Sequence, residues 1–110
     1  MKIWALALPL VLLSPFVAAL EASSETTITE VNTYQTSAGD VIFKLTNPAT
    51  ICAGYWLSPA ESGFEQSYSM VLSAFHADED VIVYGLDGTG DKWAGSSTHF
   101  CKVDSIVIKR

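Results

Sequence analysis

The sequence carries little positive charge: six Lys and Arg residues stand against twelve Asp and Glu residues, giving a formal net charge of −6. Phosphate backbones repel such a chain, so nucleic acid is excluded as its main partner. An anionic membrane surface offers the chain no attraction either. Length sets a further limit, because 110 residues are enough for one domain and no second one.

Histidine and cysteine are also scarce, with two of each. They do not occur at zinc-site spacing. Ser96 and Asp104 lie near His99, but the chain lacks the G-x-S-x-G turn that presents a hydrolase nucleophile. Residues 87–91, Asp-Gly-Thr-Gly-Asp, lack the full ligand spacing of a calcium loop and favour a turn. We therefore predict a protein that is not an enzyme and holds no metal or cofactor.

The first 22 residues show the three-part pattern of a secretory signal. Lys2 supplies the positive end, an apolar run broken by prolines follows, and small residues offer cleavage after Ala19 or Ala22. The alternative is an uncleaved anchor helix, since a bilayer core needs about 20 apolar residues. We expect a signal peptide over 1–22, a single secreted or periplasmic domain over 23–110, and no membrane insertion after cleavage.

Both cysteines, Cys52 and Cys101, lie in the part of the chain that would be exported. An isolated pair in an oxidising compartment most often forms a disulfide. This one would close a loop of about 50 residues and would stabilise a small domain by about 4 kcal/mol according to the chain-entropy relation. A free thiol or a metal pair is the alternative, and neither has partner residues nearby in the sequence.

Apolar alternation and turn signals predict five strands, at residues 27–34, 41–45, 51–57, 81–84 and 100–108. Between the third and fourth strands the apolar spacing becomes helical and predicts a helix from Gly63 to Ala77. Its apolar stripe consists of Phe64, Tyr68, Val71, Leu72 and Phe75. Ser62 and Glu65 match a capping box at its start.

The resulting order, β-β-β-α-β-β, is mainly β with one helix, and it is the order of a five-stranded OB-fold-like barrel. In that fold the helix closes one end of the barrel, and closure protects the edges of the sheet. The alternative is an open antiparallel sheet with the helix packed on one face.

Aromatic residues in or beside the later strands are the candidate binding residues. Trp56, Tyr84 and Trp93 combine an apolar face with a polar tip, which suits sugar rings and protein interfaces. Trp93 lies in a polar loop between the fourth and fifth strands, and we expect it to be exposed, with Asp91 and Ser96 beside it as hydrogen-bonding groups. The alternative is that these aromatic residues fill the core.

The layout resembles the cell-binding B subunits of bacterial AB-type toxins. The matching features are the signal, Cys52 and Cys101, the helix Gly63 to Ala77 and the strand Cys101 to Ile106. The resemblance implies a secreted OB-fold chain that binds glycans and assembles as a ring of identical chains. It concerns architecture and transfers no sugar-binding residue.

The leading hypothesis is therefore an exported, non-enzymatic binding module that recognises a glycan or a protein. The alternative is a periplasmic structural or inhibitory protein that acts through one protein interface.

Overall fold

A computed structural model describes residues 19–110, and these contain six strands and one helix. The strands are β1 (Leu20–Ala22), β2 (Ile28–Tyr34), β3 (Asp40–Leu45), β4 (Gly54–Leu57), β5 (Val81–Leu86) and β6 (Phe100–Ile108), and the helix α1 spans Phe64–Ala77. A short 3-10 helix, Thr89–Asp91, lies between β5 and β6. The five predicted strands and the helix are present, and β1 is additional. Most of the predicted signal peptide lies outside the described residues.

All six strands form one mixed sheet in the order β1-β5-β6-β4-β3-β2. Neighbouring strands pair antiparallel except β4 and β6, which run parallel. We predicted a closed five-stranded barrel, and its closure is not shown, because β1 and β2 stand at the two ends of the sheet order. The alternative of a wholly antiparallel sheet is wrong for the β4–β6 pair.

Residues 23–27 connect β1, which pairs with β5, to β2, which pairs with β3. Thr26 and Val81 exchange two backbone hydrogen bonds, of 2.9 and 2.8 Å, as an isolated bridge beside β5. One residue later, the carbonyl of Thr27 accepts a 3.0 Å hydrogen bond from the N–H of Thr46, beyond the end of β3. Consecutive segments of the chain therefore pair near opposite ends of the sheet, first with β5 and then with β3.

The larger core lies between one face of the sheet and α1. Alternate residues of β3 and β4 point into it, since side chains along a strand alternate between the two faces of a sheet. The buried set includes Val41, Phe43, Leu45, Tyr55, Leu57, Val71, Ala74, Val81 and Val83. A smaller core on the other face consists of Ile42, Trp93 and Phe100, with Trp56 packed against it. The sheet thus has apolar cover on both faces.

The predicted disulfide between Cys52 and Cys101 is confirmed, with a Cα–Cα distance of 5.5 Å. Both residues lie in the larger core and are at most 1 % exposed. The bond joins the segment just before β4 to the start of β6, where Tyr55 and Cys101 are register partners in the parallel pair. It therefore links two neighbouring strands that are separated in the chain by α1 and β5.

The helical stripe is only partly as predicted. Phe64, Tyr68 and Val71 contact the larger core, but Phe75 is 38 % exposed, and the small Ala74 is buried in its place. Because 3.6 residues complete a turn, position 75 lies on the same face as positions 64, 68 and 71, so the periodicity does not account for its exposure; Phe75 lies in the last turn of α1. The prediction that Phe75 packs in the core is therefore wrong.

The predicted capping box is also wrong. The N-cap residue is Gly63, and no side chain caps the helix. The box needs its serine at the N-cap and its glutamate three residues later. Ser62 precedes the N-cap and Glu65 is the second helical residue, so both miss the required positions.

Val71→Ala is expected to lower the free energy of unfolding by about 2 kcal/mol, because Val71 is fully buried and the change leaves a cavity. Phe75→Ala is the matched control on the same helix, and it should have a smaller effect although it removes more atoms. Urea denaturation of both variants measures the difference. A larger loss for Phe75→Ala would place the packed face elsewhere.

Tyr55 is a polar side chain in the middle of the larger core. It is 0 % exposed, its ring stacks on Phe43 at a centroid distance of 5.6 Å, and its hydroxyl accepts a 3.1 Å hydrogen bond from the N–H of Ala49. Burial raises the pKa of the Tyr55 phenol above its ordinary value of 10.0, and the Ala49 hydrogen bond offsets part of the rise. The fold therefore favours the neutral phenol.

The stability of the protein is expected to fall at alkaline pH because of Tyr55. Since its pKa is raised in the folded state, the contribution of the neutral phenol is complete below the unfolded pKa of about 10 and is lost as pH rises from there through the folded pKa. Tyr55→Phe removes the titrating group. The gap in free energy of unfolding between wild type and this variant should therefore narrow above about pH 10. Urea denaturation between pH 8 and about 11 tests this, and a constant gap would contradict it.

Candidate functional site

The parallel pairing of β4 with β6 ends early and leaves a groove. The last paired residues are Trp56 and Lys102; β4 ends at Leu57, whereas β6 continues to Ile108. The chain leaves β4 and enters α1 at Phe64. We call the space between the end of β4, the start of α1 and the middle of β6 the β4–β6 groove. Its cavity has a volume of about 260 Å³.

Polar and apolar side chains line this groove together. The lining residues are Trp56, Leu57, Ser58, Glu61, Gly63, Phe64, Ser67, Leu86, Lys102, Val103 and Asp104. Ligand sites commonly combine an apolar lining with a few polar groups that fix orientation. The β4–β6 groove has this composition, and its volume of about 260 Å³ suits one small chemical group of a ligand.

Three charged residues line the groove, one lysine and two carboxylates. Lys102 makes a salt bridge with Glu61, and its Nζ lies 5.8 Å from the centroid of the Trp56 ring. The Lys102 side chain is 27 % exposed, so its charge is partly shielded from solvent, while the Glu61 side chain is 55 % exposed. Asp104 adds a second carboxylate to the lining. The groove can therefore donate from an ammonium group and accept at carboxylate oxygens.

Trp56 is held in place by the loop between β5 and β6. Its Nε1 donates a 2.8 Å hydrogen bond to the carbonyl of Asp91. The indole is half-buried and packs against the smaller core. Trp56 also lines a second, more open hollow of about 390 Å³ with Asp40, Lys92 and Trp93. The ring thus separates two concave surfaces.

Trp93 does not lie where we expected it. It is 6 % exposed, its ring packs against Tyr34 and Phe100 at 5.2 and 5.7 Å, and its Nε1 donates a 2.9 Å hydrogen bond to Oδ2 of Asp40. The expectation of an exposed residue is wrong, because the polar loop folds over the sheet and Phe100 and Ile42 supply an apolar site for the indole. Trp93 instead fills the smaller core, which was the alternative prediction.

The other candidate residues are dispersed. The backbone carbonyl of Ser96 accepts a hydrogen bond from Lys92 Nζ, and the Ser96 hydroxyl accepts one of 3.0 Å from the N–H of Thr98. Asp91 and Ser96 thereby order the loop around Trp93. Tyr84 lies on β5, in register with Ala22 and Ser105. It is absent from the linings of both hollows.

Sequence reasoning missed Lys102, Glu61 and Asp104 as candidate binding residues. Each stands alone in the sequence without a motif, and they meet only because β4 and β6 run parallel and the helix begins above them. The one available signal was the presence of two charged residues, Lys102 and Asp104, in the strand Phe100–Ile108.

The described residues also bear on the metal-site and hydrolase alternatives. Within residues 19–110, no group of three His, Cys, Asp or Glu side chains could hold a metal ion. Oδ1 of Asp87 accepts a 2.8 Å hydrogen bond from the N–H of Ala19. The buried Nε2 of His99 has no hydrogen-bond partner in this part of the chain, so no serine or carboxylate binds it there.

No protein-family model matches this chain, and neither the curated proteins nor the solved structures contain a match. In the described range 19–110, no helix has the length and apolar character needed to cross a membrane.

Proposed function

We propose that the chain is an exported, non-enzymatic binding module and that its β4–β6 groove takes one sugar residue of a glycan. The observation that carries the proposal is the arrangement of Lys102, Glu61 and Asp104 beside the indole of Trp56 in a cavity of about 260 Å³. Hydroxyl groups both donate and accept hydrogen bonds, so a sugar matches a site that offers an ammonium group and carboxylates together.

Charge favours a neutral sugar over an acidic one. The whole chain carries a formal net charge of −6, and the groove contributes two carboxylates against one ammonium group. A negatively charged ligand would meet repulsion during approach and would compete with Glu61 for Lys102. A neutral ring avoids both effects, and its apolar face can pack on Trp56 or Phe64.

Export is supported by two independent features. The sequence begins with the pattern of a secretory signal, and the described domain contains a buried disulfide that links distant segments. The proposal therefore places the working protein in an oxidising compartment, secreted or periplasmic.

An OB-type architecture is part of the proposal. The sheet order, the parallel β4–β6 pair and the helix between β4 and β5 support it. In this architecture the residues between β1 and β2 form a bend in one long first strand, which pairs with both β5 and β3. Assembly as a ring, as in the toxin B subunits that the chain resembles, is the corresponding proposal for its quaternary structure.

Removal of the charged groups in the groove is expected to weaken sugar binding about tenfold or more, since a hydrogen bond to a charged group contributes about 1.5–3 kcal/mol. A glycan array identifies the sugar, and titration calorimetry compares Lys102→Met and Glu61→Gln with wild type. Lys44→Met and Glu30→Gln are matched controls, because that pair is solvent-exposed at 3.8 Å on β3 and β2. Equal affinity of groove variants and controls would refute the site.

A protein partner is the second candidate, and the edge of β2 favours it. β2 ends the sheet order and pairs only with β3 among the described strands, so its other edge can accept a strand from another chain. The molar mass in solution, combined with the glycan array, separates the two functions. A ring of about five chains that binds sugar supports the first. A monomer that binds no sugar refutes the first and leaves the protein interface as the remaining candidate.

A further inference from the structure

We infer that the export signal is removed between Ala19 and Leu20, so that the mature protein begins with β1. The inference rests on the export that is part of the proposed function. The sequence alone offers two cleavage positions, after Ala19 and after Ala22, and these differ by the three residues of β1. The contacts of β1 and of Ser23 distinguish them.

The residues after Ala19 are built into the sheet. Leu20, Glu21 and Ala22 pair antiparallel with Leu86, Gly85 and Tyr84 of β5. Cleavage after Ala22 would remove this strand and leave the backbone groups along the second half of β5 without partners on that side. Unpaired backbone groups on a strand edge destabilise a domain and promote association.

The second cleavage position would also create a charge at a buried residue. Ser23 is 7 % exposed, its N–H donates a 2.9 Å hydrogen bond to the carbonyl of Val83, and its hydroxyl accepts one of 2.9 Å from the N–H of Val83. A new α-amino group there, with a pKa of about 7.7–8.0, would be largely protonated at neutral pH. Burial of that charge without an opposite charge is unfavourable.

Cleavage after Ala19 avoids these effects. Leu20 is 53 % exposed, so its new amino group would be solvated. The carboxylate of Asp87, which accepts a hydrogen bond from the N–H of Ala19, would lie one residue away from that positive charge. The residues before the bond, Val17-Ala18-Ala19, are also smaller than Leu20-Glu21-Ala22, as the cleavage site of a signal requires.

Two matched substitutions test the position in a cell that exports the full-length chain. Ala22→Phe adds a bulky side chain at an exposed position of β1 and should leave processing unchanged, with Leu20 as the first residue. Ala19→Phe should block the normal cut, because a large residue replaces the small one before the bond. Intact mass and N-terminal sequencing of the exported protein identify the first residue.

The wild-type protein should begin at Leu20. A mature chain that begins at Ser23, or processing that is blocked by Ala22→Phe and unaffected by Ala19→Phe, would overturn the cleavage position and leave export intact. A full-length chain that stays in the cytoplasm without processing would overturn export as well.

Discussion

Replacing Cys52 and Cys101 together by alanine is expected to lower the free energy of unfolding by about 2–5 kcal/mol, the usual range for a small disulfide-bonded domain. The sequence separation of 49 residues corresponds to about 4 kcal/mol of loop-closure entropy in the unfolded chain. A typical domain is stable by only about 5–15 kcal/mol in total, so the double variant should be largely unfolded at elevated temperature.

The position of the disulfide explains why the effect should be large. The β4–β6 pair is parallel, and parallel neighbours require a long crossover, here α1 and β5. In the oxidised unfolded chain, the bond already holds the two ends of that crossover next to each other. Without it, the chain must close a loop of about 50 residues by non-covalent contacts alone.

Urea denaturation of the oxidised protein, the reduced wild type and the double variant measures the effect. The reduced wild type is the control, because it keeps both sulfur atoms and so separates the covalent link from the loss of buried volume. Cys52 and Cys101 are at most 1 % exposed, so the double variant should be somewhat less stable than the reduced protein. A loss below about 1 kcal/mol for both would show that the link contributes little.

Local patterns in the sequence were sufficient to locate most elements. The alternation of Val41, Phe43 and Leu45 predicts a strand because those residues face one core, and the structure confirms it. The disulfide followed from the number of cysteines and the predicted export. Such features depend on neighbouring residues or on composition, so one sequence contains them.

Features that depend on distant segments could not be predicted in the same way. β1 is three residues long and lies at the end of an apparent signal, and only its pairing with β5 makes it a strand. The parallel direction of β4 and β6 has no local signature. The β4–β6 groove follows from that direction, so its charged residues Lys102 and Glu61 were missed together.

Trp93→Ala is expected to lower the free energy of unfolding by about 3–5 kcal/mol, the range for a large aromatic residue removed from a core. Trp93 is 6 % exposed, and its ring contacts Tyr34 and Phe100. Gly95 leaves room for it, since a Cβ at position 95 would collide with the indole. The part of the loop around residues 92–96 is therefore organised around this side chain.

Trp93→Phe is the matched control, because it retains an aromatic ring and removes the 2.9 Å hydrogen bond from Nε1 to Asp40. Its loss should be smaller than that of Trp93→Ala, at about 1–3 kcal/mol for the polar group left unpaired and the reduced ring. Thermal denaturation is sensitive enough, since 1 kcal/mol shifts the Tm of a domain of this size by about 4–8 °C.

Sugar binding, measured on the folded fraction of each variant, distinguishes a core role of Trp93 from a recognition role. Because Trp93 lies in the smaller core, binding should persist in Trp93→Phe, whereas Lys102→Met should weaken it about tenfold or more. Loss of binding in Trp93→Ala with an unchanged Tm would instead return the recognition role to Trp93.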